Sequence, residues 1–342
     1  EGIGPGERFR CLPFEHKNML QRLAWEKVGL SRIVESFTPD VVFNIANRGF
    51  VRPQVPQATL VQDAHLFYPS IQFGRASPRA RAIFLANRLH FKRALRRTDA
   101  LFCQTVVARR RLAESYHPKC RIEIVPNQLS FDVAAAEAGG ELFPVLAGRD
   151  NRFKLLVLAR YYSHKNLEIV PRLLAARRAG LRDVLFVFTI PKRQDPWAER
   201  FLRSLGRGGV GEGVNLGEVP QSHLGALFAA TDALFMPTLL ESFGGTYLEA
   251  MHFGRPILTS DLDFARDVCG DAALYFDPMD LDSVLAAIIR MKDDAGLRRD
   301  LVERGRARKA AHAATWDDNA RTVLETLEAI AAPGGNGRVA IP

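Results

Sequence analysis

The chain has 342 residues, 47% of them hydrophobic, enough for two buried cores, and its scattered Cys11, Cys103, Cys120 and Cys269 exclude a disulfide framework and a Cys-x-x-Cys metal module and suit a reducing cytosol. The net charge is +9, yet residues 75–111 alone hold eleven Lys/Arg against the single acid Asp99, so one segment makes the protein basic. No apolar run approaches the roughly 18 residues of a membrane helix and no signal peptide is read at the start, so the expectation is a cytoplasmic protein, soluble or peripheral at the inner face of a membrane.

Residues 1–6 read as a loop with no strand before them. A doubly wound domain opens on a strand, so a missing first βα unit is expected. Short apolar runs follow at 40–46, 58–63, 100–105 and 121–125. Between them, residues 79–97 read as a basic helix carrying Ile83, Phe84, Leu89, Phe91 and Leu95. Its apolar residues either face the domain core, the simplest reading, or rest with the cations of 75–111 on an anionic bilayer. Nucleic acid is the least supported partner, because no recognition motif accompanies the charge, and none is expected. The Ala/Gly-rich stretch 134–151 reads as a linker.

Beyond the linker the alternation is regular. Strand-like runs at 154–159, 184–189, 214–219, 232–238, 256–260 and 273–276 are separated by amphipathic stretches such as 223–230 and 281–291. Short buried strands alternating with helices predict a parallel sheet covered on both faces.

Two βα loops in this half carry chemistry. The first follows the run 154–159 and reads Arg160-Tyr-Tyr-Ser-His-Lys165-Asn166. Two cations at the carboxyl end of a parallel strand either clamp a diphosphate or are simply solvated. Pro171 predicts that the helix after them starts irregularly or late. The second loop is Glu241-Ser-Phe-Gly-Gly-Thr-Tyr-Leu-Glu249, two carboxylates eight positions apart across a Gly-Gly turn that opens a helix. Thr246 and Glu249 fit a capping box, so Glu249 either satisfies a backbone N–H or faces a ligand hydroxyl pair. Nothing in the loop's local structure asks for an acid at Glu241. Both loops belong at one edge of one sheet, where the crevice of an open α/β fold lies. Asp261-Leu-Asp263 and Asp280-Leu-Asp282 resemble metal-binding strings, but the second reads as a helix start and no metal is expected.

With these residues in place, the sequence resembles the retaining, nucleotide-sugar-dependent glycosyltransferases of the GT-B fold, family 4 in particular. The Glu-x7-Glu element is Glu241 to Glu249. Residues 230–238, 249–261 and 270–278 follow the family pattern nearly continuously, and the likeness is strong over 153–290 and weaker over 38–130. The resemblance implies an α/β protein of two Rossmann-like domains facing across a cleft, spanning 1–148 (acceptor side) and 149–314 (donor side). A helix over 315–332 crosses back to the first domain. It implies a hexosyltransferase-type enzyme that moves a sugar from a nucleoside diphosphate to a hydroxyl, with retention, in envelope glycolipid or polysaccharide synthesis. Its partners are then a nucleotide-sugar donor and a glycan or glycolipid acceptor, without a cofactor or metal.

Residue by residue, the resemblance implies that Arg160 and Lys165 grip the diphosphate. Glu241, with the Phe243–Gly244–Gly245 backbone and Thr246, meets the sugar and the phosphate. Glu249 holds the ribose and Val219 lines the base pocket. Asp63 or His65 reaches the acceptor, Gln62 standing where the family often has His. Gly245 stands where the family commonly has a larger residue. The alternative from another class is a non-catalytic nucleotide-sugar or membrane-binding protein of the same fold.

Overall fold

A computed structural model describes residues 29–332 apart from 46, 69–77, 131–142 other than Val133, 147, 150, 177–178, 206–212 and 313–314. The expectation for residues 1–6 and most of the 134–151 linker therefore lie outside the described residues.

The first unit is a four-stranded sheet in the order β1 (Val42–Asn44), β2 (Gln57–Val61), β3 (Ala100–Cys103), β4 (Arg121–Ile124), parallel throughout. Its helices are α1 (Leu30–Phe37), the basic α2 (Pro78–Leu95) and α3 (Val106–Tyr116), which Thr105 caps by accepting from the Ala108 N–H at 3.0 Å. The two-residue period of β3 divides its side chains cleanly. Leu101 and Cys103 join the large core beneath α2 and α3, whereas Ala100 and Phe102 meet Ile330 on the other face.

The second unit holds β5 (Phe153–Val157), β6 (Val184–Phe188), β7 (Gly213–Asn215), β8 (Ala233–Met236), β9 (Ile257–Ser260) and β10 (Ala273–Phe276), all parallel, in the order β10-β9-β8-β5-β6-β7. Every residue of β6, β8 and β9 is buried, as expected of strands with helices on both faces. Along β6, Val184, Phe186 and Phe188 fill one core while Leu185 and Val187 fill the other. The helices are α4 (Ile169–Ala175), α5 (Pro196–Leu205), α6 (Leu224–Ala229), α7 (Gly245–His252), α8 (Asp263–Cys269), α9 (Leu281–Asp293) and α10 (Ala295–Ala311).

The chain then returns. Helix α11 (Trp316–Ala331) carries a Thr315–Asp318 capping box and lays Ile330, Val323 and Leu327 on the back of the first sheet. Its start is tied to the tail of β4: Trp316 Nε1 donates to the Leu129 carbonyl at 2.8 Å and Asn319 Nδ2 to that of Pro126 at 2.7 Å. Across the units, Tyr68 Oη and Arg111 Nε both donate to the Asp263 carboxylate at 2.8 Å, with the guanidinium 4.1 Å from the Tyr68 ring centre. Asp267 accepts from the Val107 N–H at 2.8 Å. Cys103, Cys120 and Cys269 are buried free thiols. No helix among the described residues is long and apolar enough to cross a membrane.

Candidate active site

Strand β5 has β6 on one side and β8 on the other, so the sheet reverses its winding between β5 and β8. Ligand crevices of open α/β sheets form at such a point, outside the carboxyl ends of the strands. The loops leaving β5 and β8 are those carrying Arg160–Lys165 and Glu241–Gly245.

These loops are bound to each other. The Leu239 N–H and the Thr238 hydroxyl both donate to the His164 carbonyl, at 2.7 and 3.2 Å. Lys165 Nζ donates to Glu241 Oε1 at 2.5 Å, in a half-buried position where the pair is only partly screened. Residues 163–165 form a short 3-10 turn ended by Asn166 in the left-handed region, and α4 begins only at Ile169, with Pro171 in its first turn. The side chain of Asn166 is buried and donates to the Pro278 carbonyl at 3.1 Å, which locks that conformation. Arg160 lies apart from Lys165: its exposed guanidinium meets Glu218, next to Val219, at 2.7 Å. Val219 is partly buried against the core.

The turn after Glu241 corrects the expected capping box. Helix α7 starts two residues earlier than that reading requires, with Gly244 at the N-cap and no side-chain cap. Gly244 has φ +78°, and a Cβ there would stand 2.7 Å from the Tyr247 ring, so glycine is required on both counts. Thr246 is therefore inside the first turn and Glu249 lies mid-helix, two positions too far along to close a capping box. Burial pushes Glu249 up to about 7. The uncapped N-terminus of α7 leaves its first N–H groups directed outward, as an anion site needs. The Phe243 side chain is buried beside His312. A Cβ at Gly245 would meet only Asn127 Nδ2, at an ordinary 3.6 Å, so glycine there leaves room that a side chain would fill.

Opposite these loops, the carboxyl end of β2 leads into a 3-10 turn over Ala64–Leu66. Asn47 Oδ1 accepts from the backbone N–H groups of Gln62 and Asp63, the latter at 2.8 Å. Asp63 Oδ1 accepts from the His65 N–H at 3.0 Å and meets His65 Nδ1 at 2.8 Å. Burial raises the Asp63 carboxyl, but the hydrogen bonds and charge of His65 outweigh it and leave it below the usual range. The His65 ring stacks on Phe84 of α2, with centroids 4.2 Å apart, and its edge meets His164 at 5.4 Å. Burial, then the Lys165 charge, drives His164 down to about 3, so it is a neutral imidazole at ordinary pH. Asp63, His65, His164, Lys165 and Glu241 thus form one contiguous polar lining between the two sheets.

His164 and Asn47 are the residues of the candidate site that sequence reasoning did not single out. His164 sits inside the quoted Arg160–Asn166 string, but its facing partner comes from the other sheet. Asn47 is distant from Asp63 in sequence and has φ +63°. Among the described residues no three of His, Cys, Asp and Glu gather as metal ligands. Asp261 holds Arg266, Asp263 joins the two units, and Asp280 caps α9 by accepting from the Asp282 N–H at 2.9 Å.

Residues 141–308 match the family model described as glycosyl transferases group 1. Among curated proteins, the chain is 35% identical to O-antigen chain mannosyltransferase B of Escherichia coli over 124 residues, 36% of this chain and 32% of that one. It is 31% identical to a phosphatidyl-myo-inositol mannosyltransferase of Mycolicibacterium smegmatis over 122 residues, 35% of this chain and 31% of that protein. The matched region thus spans about a third of the length of these relatives. Among solved structures, WaaG, a glycosyltransferase involved in lipopolysaccharide biosynthesis, superposes with TM-score 0.67 over 95% of this chain and 88% of its own at 16% identity. Sucrose-phosphate synthase from Thermosynechococcus elongatus does so with TM-score 0.71 over 92% and 79% at 15% identity. By fold, and by the match across its second half, the chain is a two-domain protein of GT-B glycosyltransferase architecture.

Proposed function

We propose that the protein is a retaining glycosyltransferase of family 4 that moves a sugar from a nucleoside diphosphate to a hydroxyl of a glycan or glycolipid. The first domain (1–148) takes the acceptor, the second (149–314) takes the donor, and 315–332 returns to the first. The observation that carries this reading is the Lys165–Glu241 pair beside the uncapped helix at Gly244–Gly245, facing Asp63 and His65 across the crevice.

In the reaction the acceptor oxygen bonds to the anomeric carbon as the bond from that carbon to the diphosphate oxygen breaks. The electron pair stays on the phosphate, which takes the acceptor's proton on the same face, so configuration is kept. Negative charge grows on the leaving group, which Lys165 and the α7 N-terminus stabilise, with Arg160 joining them from its place beside Glu218. An ammonium has three donors, so Lys165 reaches a phosphate while keeping Glu241. Glu241 positions the sugar and supports the positive charge on its ring. Glu249 meets the ribose hydroxyls, Val219 the base, and Asp63 orients His65 toward the acceptor.

Removing one preorganised charge of this kind costs about 3 kcal/mol of barrier, or on the order of 10²-fold in rate. Lys165→Ala and Glu241→Ala are each expected to abolish measurable transfer with unchanged circular dichroism and cooperative melting. Wild-type turnover in either variant overturns the assignment. Both curated relatives are named as mannosyltransferases, which makes a mannosyl donor the first to try. In a melting panel of UDP, GDP and ADP sugars, a donor at 100 times its dissociation constant stabilises by roughly 2.7 kcal/mol. Stabilisation without transfer to any acceptor would favour the non-catalytic binder.

A peripheral membrane position is supported by α2. Leu85 and Leu89 are exposed, at 69% and 47%, and helical spacing places them on one side with Arg81, Lys92 and Arg96. Leu85→Gln with Leu89→Gln should reduce sedimentation with vesicles containing phosphatidylglycerol. Equal sedimentation of variant and wild type removes this surface.

A further inference from the structure

A cavity of about 620 Å³ opens at the amino end of the first sheet, lined by the segments that lead into β2, β3 and β4 and by the end of α2. Asp63 and His65 follow the carboxyl end of β2, so about 15 Å of strand, at ~3.3 Å per residue, separates the cavity from the crevice. Its volume falls in the range of small-molecule sites, about 300–1,000 Å³. Its lining is not that of an apolar ligand. Lys92, Arg96, Arg97 and Lys119 all border it, against the single carboxylate of Asp99.

That carboxylate is occupied by structure: Asp99 Oδ2 accepts from the Gln57 N–H at 3.0 Å, while the Asp99 N–H donates to the Gln57 carbonyl at 2.9 Å. It fixes the floor of the cavity and does not pair with the cations. Several cations elsewhere are matched with acids, as in Arg160–Glu218, Arg111–Asp263, Arg266–Asp261 and Lys292–Asp183. The four cations of the cavity have no acidic partner among the described residues. The carbonyl end of α2 accommodates Lys92, Arg96 and Arg97. It does not account for Lys119, which enters from the turn before β4. Pro53, Pro56 and Pro118 stiffen the walls that carry these cations.

We infer that this cavity is a second anion site, distinct from the donor crevice, and that its ligand is a phosphate-bearing group. Four unneutralised cations from two elements around one concavity repel one another when empty, and a phosphate relieves that repulsion by taking donors from several of them at once. The group is supplied either by a lipid headgroup, since Lys92 and Arg96 also lie on the outward side of α2, or by a free phosphorylated molecule.

The test is calorimetric titration with pyrophosphate of the wild type, of Lys165→Ala, and of a triple variant Arg96→Gln, Arg97→Gln, Lys119→Gln, whose exposed positions leave melting unchanged. The expected result is pyrophosphate binding that persists in Lys165→Ala and weakens at least tenfold when the triple change is added to it. Loss of all binding in Lys165→Ala, or equal affinity with and without the triple change, overturns the inference. Failure of the donor assignment leaves this outcome readable, because the triple variant is scored on binding alone. Sedimentation with phosphatidylcholine vesicles, with and without phosphatidic acid, assigns the source. A headgroup ligand makes wild-type sedimentation depend on phosphatidic acid, on the three cations and on the absence of pyrophosphate. A free ligand leaves the two proteins sedimenting alike while their pyrophosphate affinities differ.

Discussion

The two walls of the crevice are built by different means. On the proposed donor side, the loops leave strands whose residues are almost all buried, and backbone geometry sets them: Gly244 at φ +78°, Asn166 at φ +52° and the His164 carbonyl accepting from the neighbouring loop. On the proposed acceptor side, a short strand pair ends in a 3-10 turn, and side chains do the holding: Asn47 grips two N–H groups and Asp63 grips His65. The contrast teaches that the donor wall is intolerant of changes in chain conformation, whereas the acceptor wall is intolerant of losing polar side chains.

The sharpest way to break that contrast is Gly244→Ala. The left-handed conformation and the contact with the Tyr247 ring together should cost about 3 kcal/mol in a urea-unfolding measurement, and donor binding should fall with it. A stability loss below about 1 kcal/mol would show that this turn is not set by its backbone.

Next comes pH, through two groups on the donor wall with opposite shifts. Glu249 is raised to about 7, so the folded state holds its proton more tightly, and its contribution to stability is full below about 4.5 and lost as pH rises through 7. His164 is lowered to about 3, so its contribution is full above about 6.5 and lost as pH falls toward 3. Between about 4.5 and 6.5 the two slopes cancel, each being roughly 1.4 kcal/mol per pH unit. Glu249→Gln should unmask a decline in stability, relative to wild type, as pH falls below 6.5. His164→Gln should unmask the reverse, a decline as pH rises from 4.5 to 7. Denaturation series that keep the wild-type profile in both variants would remove the buried placement of these groups.

Asn47→Ala tests the other wall. It leaves the Gln62 and Asp63 N–H groups without their acceptor, which should cost about 2 kcal/mol. It should lower kcat for the acceptor reaction while donor affinity stays unchanged, and a change confined to the donor KM would contradict it. The smallest effect is expected at Arg160. Arg160→Ala should leave the melting temperature unchanged, since the pair with Glu218 is exposed, and should weaken nucleotide binding less than Lys165→Ala does.

The same contrast explains what was legible from residues alone. The donor wall was readable because strand, glycine turn and helix follow one another in sequence: the runs at 184–189 and 273–276 became β6 and β10, and Lys165 and Glu241 met as parts of adjacent loops. The Thr246–Glu249 capping box failed because Gly244, free of a Cβ, lets the helix begin two residues early. The acceptor wall was less readable because its links are long-range: Asn47 with Asp63, and His65 with Phe84 and His164. The basic helix divided its apolar residues in a way that composition did not reveal, with Phe91 and Leu95 buried and Leu85 and Leu89 outside.

The return of α11 has a mechanical consequence. The chain passes between the two sheets twice, after β4 and after α10, and the two passages are fastened side by side by His312 and Trp316 to Asn127 and Leu129. Two adjacent crossings define an axle. Rotation of one sheet against the other about that axle leaves 126–129, His312 and 315–319 almost stationary and gives the greatest travel to the contacts farthest from it.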